Sequence, residues 1–172
     1  QSDPPFPGTW AKSAALVREQ LVKAQAYRDK LARAKTPDKA PDRDLAMEAL
    51  VDVLEGRRVV HHHTHRHDDI ITVLRLQKEF GFKVVLHHVS EAWKVADEIA
   101  KAGVPCSIIL VDSPGGKLEA RDLVWETGGV LEKAGVRVAF HTDDWITDSR
   151  LFLRMAALAV RAFGDLGMRS GK

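Results

Sequence analysis

All eight histidines of the chain fall at the trailing ends of three short apolar runs. His61, His62, His63, His65 and His67 follow Arg58-Val59-Val60; His87 and His88 follow Lys83-Val84-Val85-Leu86; His141 follows Val136-Arg137-Val138-Ala139-Phe140. Imidazole is the commonest side-chain metal ligand and is largely neutral at pH 7, so histidines gathered at the same end of successive strands point to a built metal site. Asp143 and Asp144 follow His141 within three residues. A carboxylate so placed can ligate a cation, take a proton as general base and return it to a leaving nitrogen.

Each group also has a plainer reading. Side chains alternate along a strand, so His61 and His63 share one face and His62 points to the other. The same rule sends one of His87 and His88 inward and one outward, without saying which. Asp68, Asp69 and Ser90 are natural helix caps, and Asp143 with Asp144 suits a turn. His62 and His67 read as packing or surface residues. The glycines of the loop Val111-Asp112-Ser113-Pro114-Gly115-Gly116-Lys117 could bring backbone donors to a substrate, with Lys117 holding a carboxylate; an ordinary flexible loop is the better account of it. Arg66, beside the histidines, is a second candidate for that role. Trp93 and Trp125 suit packing, and Trp145 could line a pocket.

The elements that must position these groups change in texture along the chain. Residues 1–8 are proline-rich and extended; a long helix is predicted from about 11 to 34, a breaker with two prolines follows, and a second helix runs from 42 or 43 to 54 and stops at Gly56. Beyond it, strands are predicted at 58–63, 83–88, 105–111 and 136–141, with helices at about 68–80, 90–102, 119–134 and 149–163. Gly81, Gly103 and Gly135 close three of those helices. Four successive βα units make a parallel α/β sheet with right-handed crossovers, and ligand sites in such sheets lie at the carboxyl ends of the strands. That is where the histidines sit. The expected organisation is an N-terminal arm and helical segment over 1–57, then a partial TIM-type barrel of four units over 58–172, since a closed barrel takes about 250 residues.

With 172 residues and 45% hydrophobic content, the chain has enough apolar material for a core. A net charge of +2 from 26 basic and 24 acidic residues gives no electrostatic footprint for nucleic acid. No apolar stretch reaches the about 20 residues of a membrane span, and no secretory pattern opens the chain, so a cytoplasmic location is expected. A single cysteine, Cys106, excludes an internal disulfide and reads as a buried small residue.

The three clusters, in this order and spacing, resemble the metal-dependent amidohydrolase superfamily, in particular its imidazolonepropionase-like branch. His63-Thr64-His65-Arg66-His67-Asp68-Asp69-Ile70 resembles the segment after barrel strand five, and Val84-Val85-Leu86-His87-His88-Val89-Ser90-Glu91-Ala92 the segment after strand six. Gly135-Val136-Arg137-Val138-Ala139-Phe140-His141-Thr142-Asp143 resembles the segment after strand eight. The likeness runs from about Thr9 to Ala162. It implies that His63 and His88 are metal ligands, and that Asp143 is both a ligand and the general base. The implied cofactor is a divalent metal, zinc first. The implied reaction is hydrolysis of a non-peptide carbon–nitrogen bond, in an amide or cyclic amide or amidine of a small molecule, by a metal-activated water.

The departures are specific. Relatives carry a His-x-His pair after strand one and a lysine or glutamate after strand four; here there is no histidine before His61. Past Ala162 the chain departs from the family pattern as well. The expectation is therefore a fragment or truncated form, the second half of a barrel, in which His61, His65 or His141 substitutes for absent ligands. Two such halves closing one pseudo-barrel as a homodimer would cover the open strand edges. The competing class is a non-catalytic half-barrel that binds metal or only packs. An open flavodoxin-like sheet explains the alternation of elements but not the histidines.

Overall fold

Local chemistry sets where most elements start and stop. In the computed structural model, which describes residues 6–110, 117–144 and 146–169 (without the side chains of Pro37 and of 165–169), helix α1 spans Trp10–Arg33 and α2 Leu45–Leu54. Thr9 Oγ1 accepts the Lys12 N–H at 3.1 Å, and Asp44 accepts from Ala46 and Met47 at 3.0 and 3.1 Å. Each satisfies N–H groups that a helix start leaves unpaired. The predicted start of α2 at 42 or 43 thus moves to the residue after its cap.

Then come β1 (Val59–Thr64), α3 (His67–Phe80), β2 (Lys83–His88), α4 (Ala96–Ala102), β3 (Cys106–Ile108), α5 (Thr127–Lys133), β4 (Val138–Phe140) and α6 (Phe152–Arg169). The four strands form one sheet in the order β1-β2-β3-β4, with parallel β2–β3 and β3–β4 pairs. Alternating with helices, they make the expected α/β sheet with sequential strand order. Gly81, Gly103 and Gly135 take left-handed φ values of 73°, 67° and 88°, which lets each helix turn at once into the following segment.

The chain divides into two compact units, Gln1–Val60 with Leu76–Lys83, and His61–Arg75 with Val84–Lys172. In the first, Leu21, Ala24 and Val51 are buried between α1 and α2. In the second, Ile70, Leu86, Ile99, Ile108, Leu110, Leu131 and Met155 are almost wholly buried. Cys106 lies among them, and burial pushes its thiol up to about 12, so it is inert at neutral pH.

Three further boundaries that differ from expectation do so for a visible reason. The helix predicted from 90 begins only at Ala96, because the side chains of Ser90 and Glu91 are engaged by His65 and His67. The helix predicted from 119 begins at Thr127; Lys94 Nζ on Asp122 (2.7 Å) and the Trp93 indole N–H on the Asp122 carbonyl (3.2 Å) hold the preceding stretch as turns. β3 pairs only to Ile108, after which the Leu110 N–H turns to Met155 Sδ at 3.3 Å. Residues 111–116 and Trp145, singled out above as loop donors and a pocket wall, lie outside the described residues.

Two adjacent glycines open α5, a poor choice for a helix on propensity alone. Space explains them. A Cβ on Gly129 would stand 2.0 Å from the Phe163 ring and 2.5 Å from Phe163 Cβ, while one on Gly128 would meet Ile108 Cδ1 at 3.2 Å. We expect Gly129→Ala to cost about 1–3 kcal/mol through overpacking, in spite of its better helix propensity. A urea midpoint unchanged or raised by this variant would contradict that packing.

Candidate metal centre

The histidines reach one another through ordinary strand geometry at β1 and through unusual geometry at β2. Along β1, His61 and His63 are exposed while His62 is half-buried, the alternation expected of a strand with one covered face. Along β2, Val84, Leu86 and His88 are buried while His87 is half-buried. Alternation alone would therefore send the His88 ring with Leu86, away from His87. It does not go there. His88 and Val89 both adopt left-handed backbone, φ 70° and 44°, and the His88 ring comes to lie with its centroid 4.2 Å from that of His63 and 4.9 Å from that of His141.

His87 stays on the face that alternation assigns it, its Nε2 2.8 Å from His61 Nδ1. The expectation that one of the pair faces in and one out is thus corrected: both rings join the cluster, because the backbone reverses hand between them. A β-branched residue such as Val89 at positive φ is a true outlier, and such conformations cost on the order of 1–3 kcal/mol. Val89 is held there by complete burial and by its N–H on the Thr64 carbonyl at 2.8 Å. Asp143, at φ 51°, is the other non-glycine residue with positive φ among the described residues. All three sit where strands end at the cluster.

The segment after β2 also fixes the segment after β1. The Glu91 N–H donates to the His65 carbonyl at 2.9 Å, and the buried Glu91 carboxylate accepts the His67 N–H at 3.0 Å and pairs with the His67 ring. Burial pulls the Glu91 carboxyl upward, but the bonds from His67 and Lys94 win and hold it below its ordinary range. Ser90 Oγ lies 2.8 Å from His65 Nδ1. Ser90 therefore orients an imidazole instead of capping a helix, which corrects its sequence reading.

His65 is buried at 6% exposure, and among the described residues its Nε2 has no hydrogen-bond partner. That is the kind of atom a cation would satisfy. His63 Nε2 and His65 Nε2 each lie 3.9 Å from Glu119 Oε1, and the donor atoms of these three residues fall within 4.8 Å of one another. Glu119 sits on a short 3-10 turn, Leu118–Ala120, beyond β3. On the other side, His141 Nδ1 lies 2.9 Å from Ser107 Oγ, and its Nε2 lies 3.3 Å from His88 Nδ1.

Burial, helped by neighbouring charges, favours the neutral form of His63, His65, His87, His88 and His141. Burial first, then the neighbouring imidazoles of His63, His141 and His65 together with Lys117, push His88 down to about 3. Burial and His63 push His65 down to about 4, against the pull of Glu119 and Asp143. His63, His87 and His141 are also lowered, burial being the largest cause in each. Neutral imidazoles are what a cation needs, since a protonated ring has no lone pair to give. The Asp143 carboxylate acts on His63, His65, His87 and His141, and the Lys117 ammonium on His63, His65 and His88.

Of the residues singled out in the sequence, the structure thus brings together His61, His63, His65, His87, His88 and His141, with Lys117 and Asp143 within electrostatic reach. Asp143 is exposed and stands outside the tight donor group. Arg66 turns instead to Asp68, at 3.0 Å. Sequence reasoning missed Glu119, Ser107, and the orienting roles of Ser90 and Glu91. Glu119 had no signal beyond its acid type, because it follows no apolar run.

The chain is similar to the crystal structure of an amidohydrolase from Thermotoga maritima MSB8, with a TM-score of 0.84 and 33% sequence identity over 92% of this chain and 41% of that one. It therefore spans less than half the length of that protein. No protein-family model and no curated protein matches it. No helix among the described residues is long and apolar enough to cross a membrane. Four parallel strands alternating with helices, together with that likeness, show an amidohydrolase-like fold.

Proposed function

We propose that this chain carries the part of an amidohydrolase-type hydrolase that binds a divalent cation, zinc first, and cleaves a non-peptide carbon–nitrogen bond. The observation that carries this reading is the convergence of six imidazoles where parallel strands end, with the His65 Nε2 buried and without a hydrogen-bond partner among the described residues. The residues fit such an ion in chemistry as well as place. Imidazole with carboxylate is a borderline donor set that suits zinc and its neighbours better than magnesium or calcium. When bound, a divalent cation supplies Lewis acidity toward water and a substrate carbonyl at neutral pH.

The chain's own residues do the rest. His63 and His88 hold the cation through neutral nitrogens, with Asp143 as the partnering carboxylate. Asp143 also accepts the proton released by the attacking water at its carboxylate oxygen and delivers it to the leaving nitrogen. Lys117 attracts an anionic group of the substrate, such as a carboxylate. The imidazolonepropionase-like motifs favour a cyclic amide or amidine as the bond attacked. A reducing, cytoplasmic setting accords with the single buried cysteine.

The test is elemental analysis of the purified chain beside a His63→Ala, His88→Ala double variant. We expect bound divalent metal in the parent and its loss in the variant. Equal metal in both would refute the assignment. The non-catalytic reading draws on one observation, that His61 with His87 and His88 with His141 satisfy each other's nitrogens at 2.8 and 3.3 Å. Absence of metal in the parent after zinc loading would favour it.

A further inference from the structure

We propose that a second copy of this chain docks along the open edge of β4 and pairs its own β1 there, so that two four-stranded sheets close one eight-stranded parallel barrel. The inference concerns the sheet and not the cation. It stands whether or not the histidine cluster holds one.

The ladder itself defines the open edge. The Cys106 N–H donates to the Arg137 carbonyl at 2.9 Å, and the His141 N–H to the Ile108 carbonyl at 3.0 Å. Arg137, Ala139 and His141 therefore turn their peptide groups toward β3. Val138 and Phe140, between them, turn theirs the other way, where the strand order places no further neighbour among the described residues. β1 ends the same order on the far side. Residues 61–64 of β1 and all of β4 lie in one compact unit. Such edges are templates for another strand.

One face of the sheet is bare as well. Leu86, Cys106 and Ile108 are buried, and Ile108 Cδ1 approaches Gly128 of α5, so theirs is the helix-covered face. On the opposite face His61, His63 and Ala139 are exposed. All-parallel sheets occur almost only with both faces covered. Beside the open edge, Val138, Phe140, Val160 and Phe163 help to line a groove of about 470 Å³ between β4, α5 and α6, and Val160 is 72% exposed.

The strand count and direction select a second copy as the occupant. With strands parallel and in sequential order, a two-fold axis along the strand direction sets each β4 against the other copy's β1. The contact is then made twice, and no edge remains. Four strands from each copy make eight, the number at which a parallel βα sheet closes on an interior that side chains can fill. Because the chain spans less than half of the amidohydrolase it resembles, two copies approach the size of one such protein. A net charge of +2 on each opposes their approach little. The same axis keeps every strand pointing one way, so the histidines of both copies open on a single mouth.

The experiment is sedimentation equilibrium of the full chain, comparing the parent with Val138→Pro, Val160→Glu and Lys101→Glu, and amide hydrogen exchange of the parent above and below its dissociation midpoint. Proline at 138 removes an N–H that the β3–β4 ladder does not use, and a glutamate at exposed position 160 meets only water in a single copy. Lys101, exposed on α4 between β2 and β3, lies away from both edges. The expected particle has twice the chain mass, and its Val138 and Phe140 amides are protected only in the dimer. Val138→Pro and Val160→Glu raise the dissociation constant about tenfold or more, and Lys101→Glu leaves it unchanged. A monomer at micromolar concentration overturns the inference, as does an assembly that keeps growing with concentration or a dimer in which those two amides exchange freely. So does a Val160→Glu variant that is folded by circular dichroism and dimerises as tightly as the parent.

Discussion

Metal-free protein brought from pH 7 to pH 4 should unfold the histidine-bearing unit, starting below pH 6.5 and well before the ordinary carboxylates protonate. The sign follows from the two most buried rings. His65 and His88 are depressed to about 4 and about 3 in the folded chain, by burial first and by neighbouring imidazoles second. Unfolded, each returns to about 6.5. Above that value both states are neutral and nothing is lost. Below it the unfolded chain takes up protons that the folded rings refuse, and stability falls until pH reaches the folded values.

Each ring contributes on the order of 3 kcal/mol to that loss by pH 4, without simple addition because the rings share neighbours. Either is a large fraction of a typical folding free energy of about 5–15 kcal/mol. The Glu91 carboxyl, held low by His67 and Lys94, adds a loss in the same direction at still lower pH. The measurement is circular dichroism and Trp93/Trp125 fluorescence against pH after EDTA treatment. A native signal persisting to pH 3.5 would show that the rings are not buried as neutral groups. Adding Zn²⁺ at pH 6 should move the transition to lower pH, because a ligand bound only by the folded state stabilises it.

Leu86→Ala is the substitution expected to do most damage to the scaffold beneath the site. Leu86 is wholly buried in β2, opposite Cys106 in the parallel ladder, two residues before the left-handed step that turns His88. Truncating a buried leucine removes its transfer free energy and leaves a cavity, together about 2–5 kcal/mol. The strained conformation at His88 and Val89 persists only while its surroundings enforce it. Urea unfolding should therefore show a lower midpoint, and Zn²⁺ affinity should fall with it. Val85→Ala, on the half-buried face of the same strand, is the comparison and should cost less. Equal midpoints for the two variants would mean that the core does not lie where the burial pattern puts it.

Much of the scaffold was legible because its signals are local. β2 falls on the predicted residues 83–88, and β1 within one residue of prediction. The glycines after α3, α4 and α5 mark their ends, since a left-handed turn residue is a property of the chain at one position. The helices that start late are those whose expected caps are used elsewhere, as Ser90 is by His65. A cap is recognised by residue type, and residue type does not say which of two hydrogen bonds it makes.

The site divides in the same way. By itself the sequence determined that histidines gather at the carboxyl ends of parallel strands, because strand periodicity and the order of βα units follow from the pattern of apolar residues. It also placed His61 and His63 on one face, since alternation is a rule of the extended chain. Tertiary structure alone decided that His87 and His88 both join the cluster. It also decided that Ser90 holds His65 from behind, and that Glu119, which follows no recognisable pattern, stands against the two imidazoles. Those outcomes depend on a left-handed backbone stabilised by burial and on contacts between residues far apart in the chain, and neither is encoded in local periodicity.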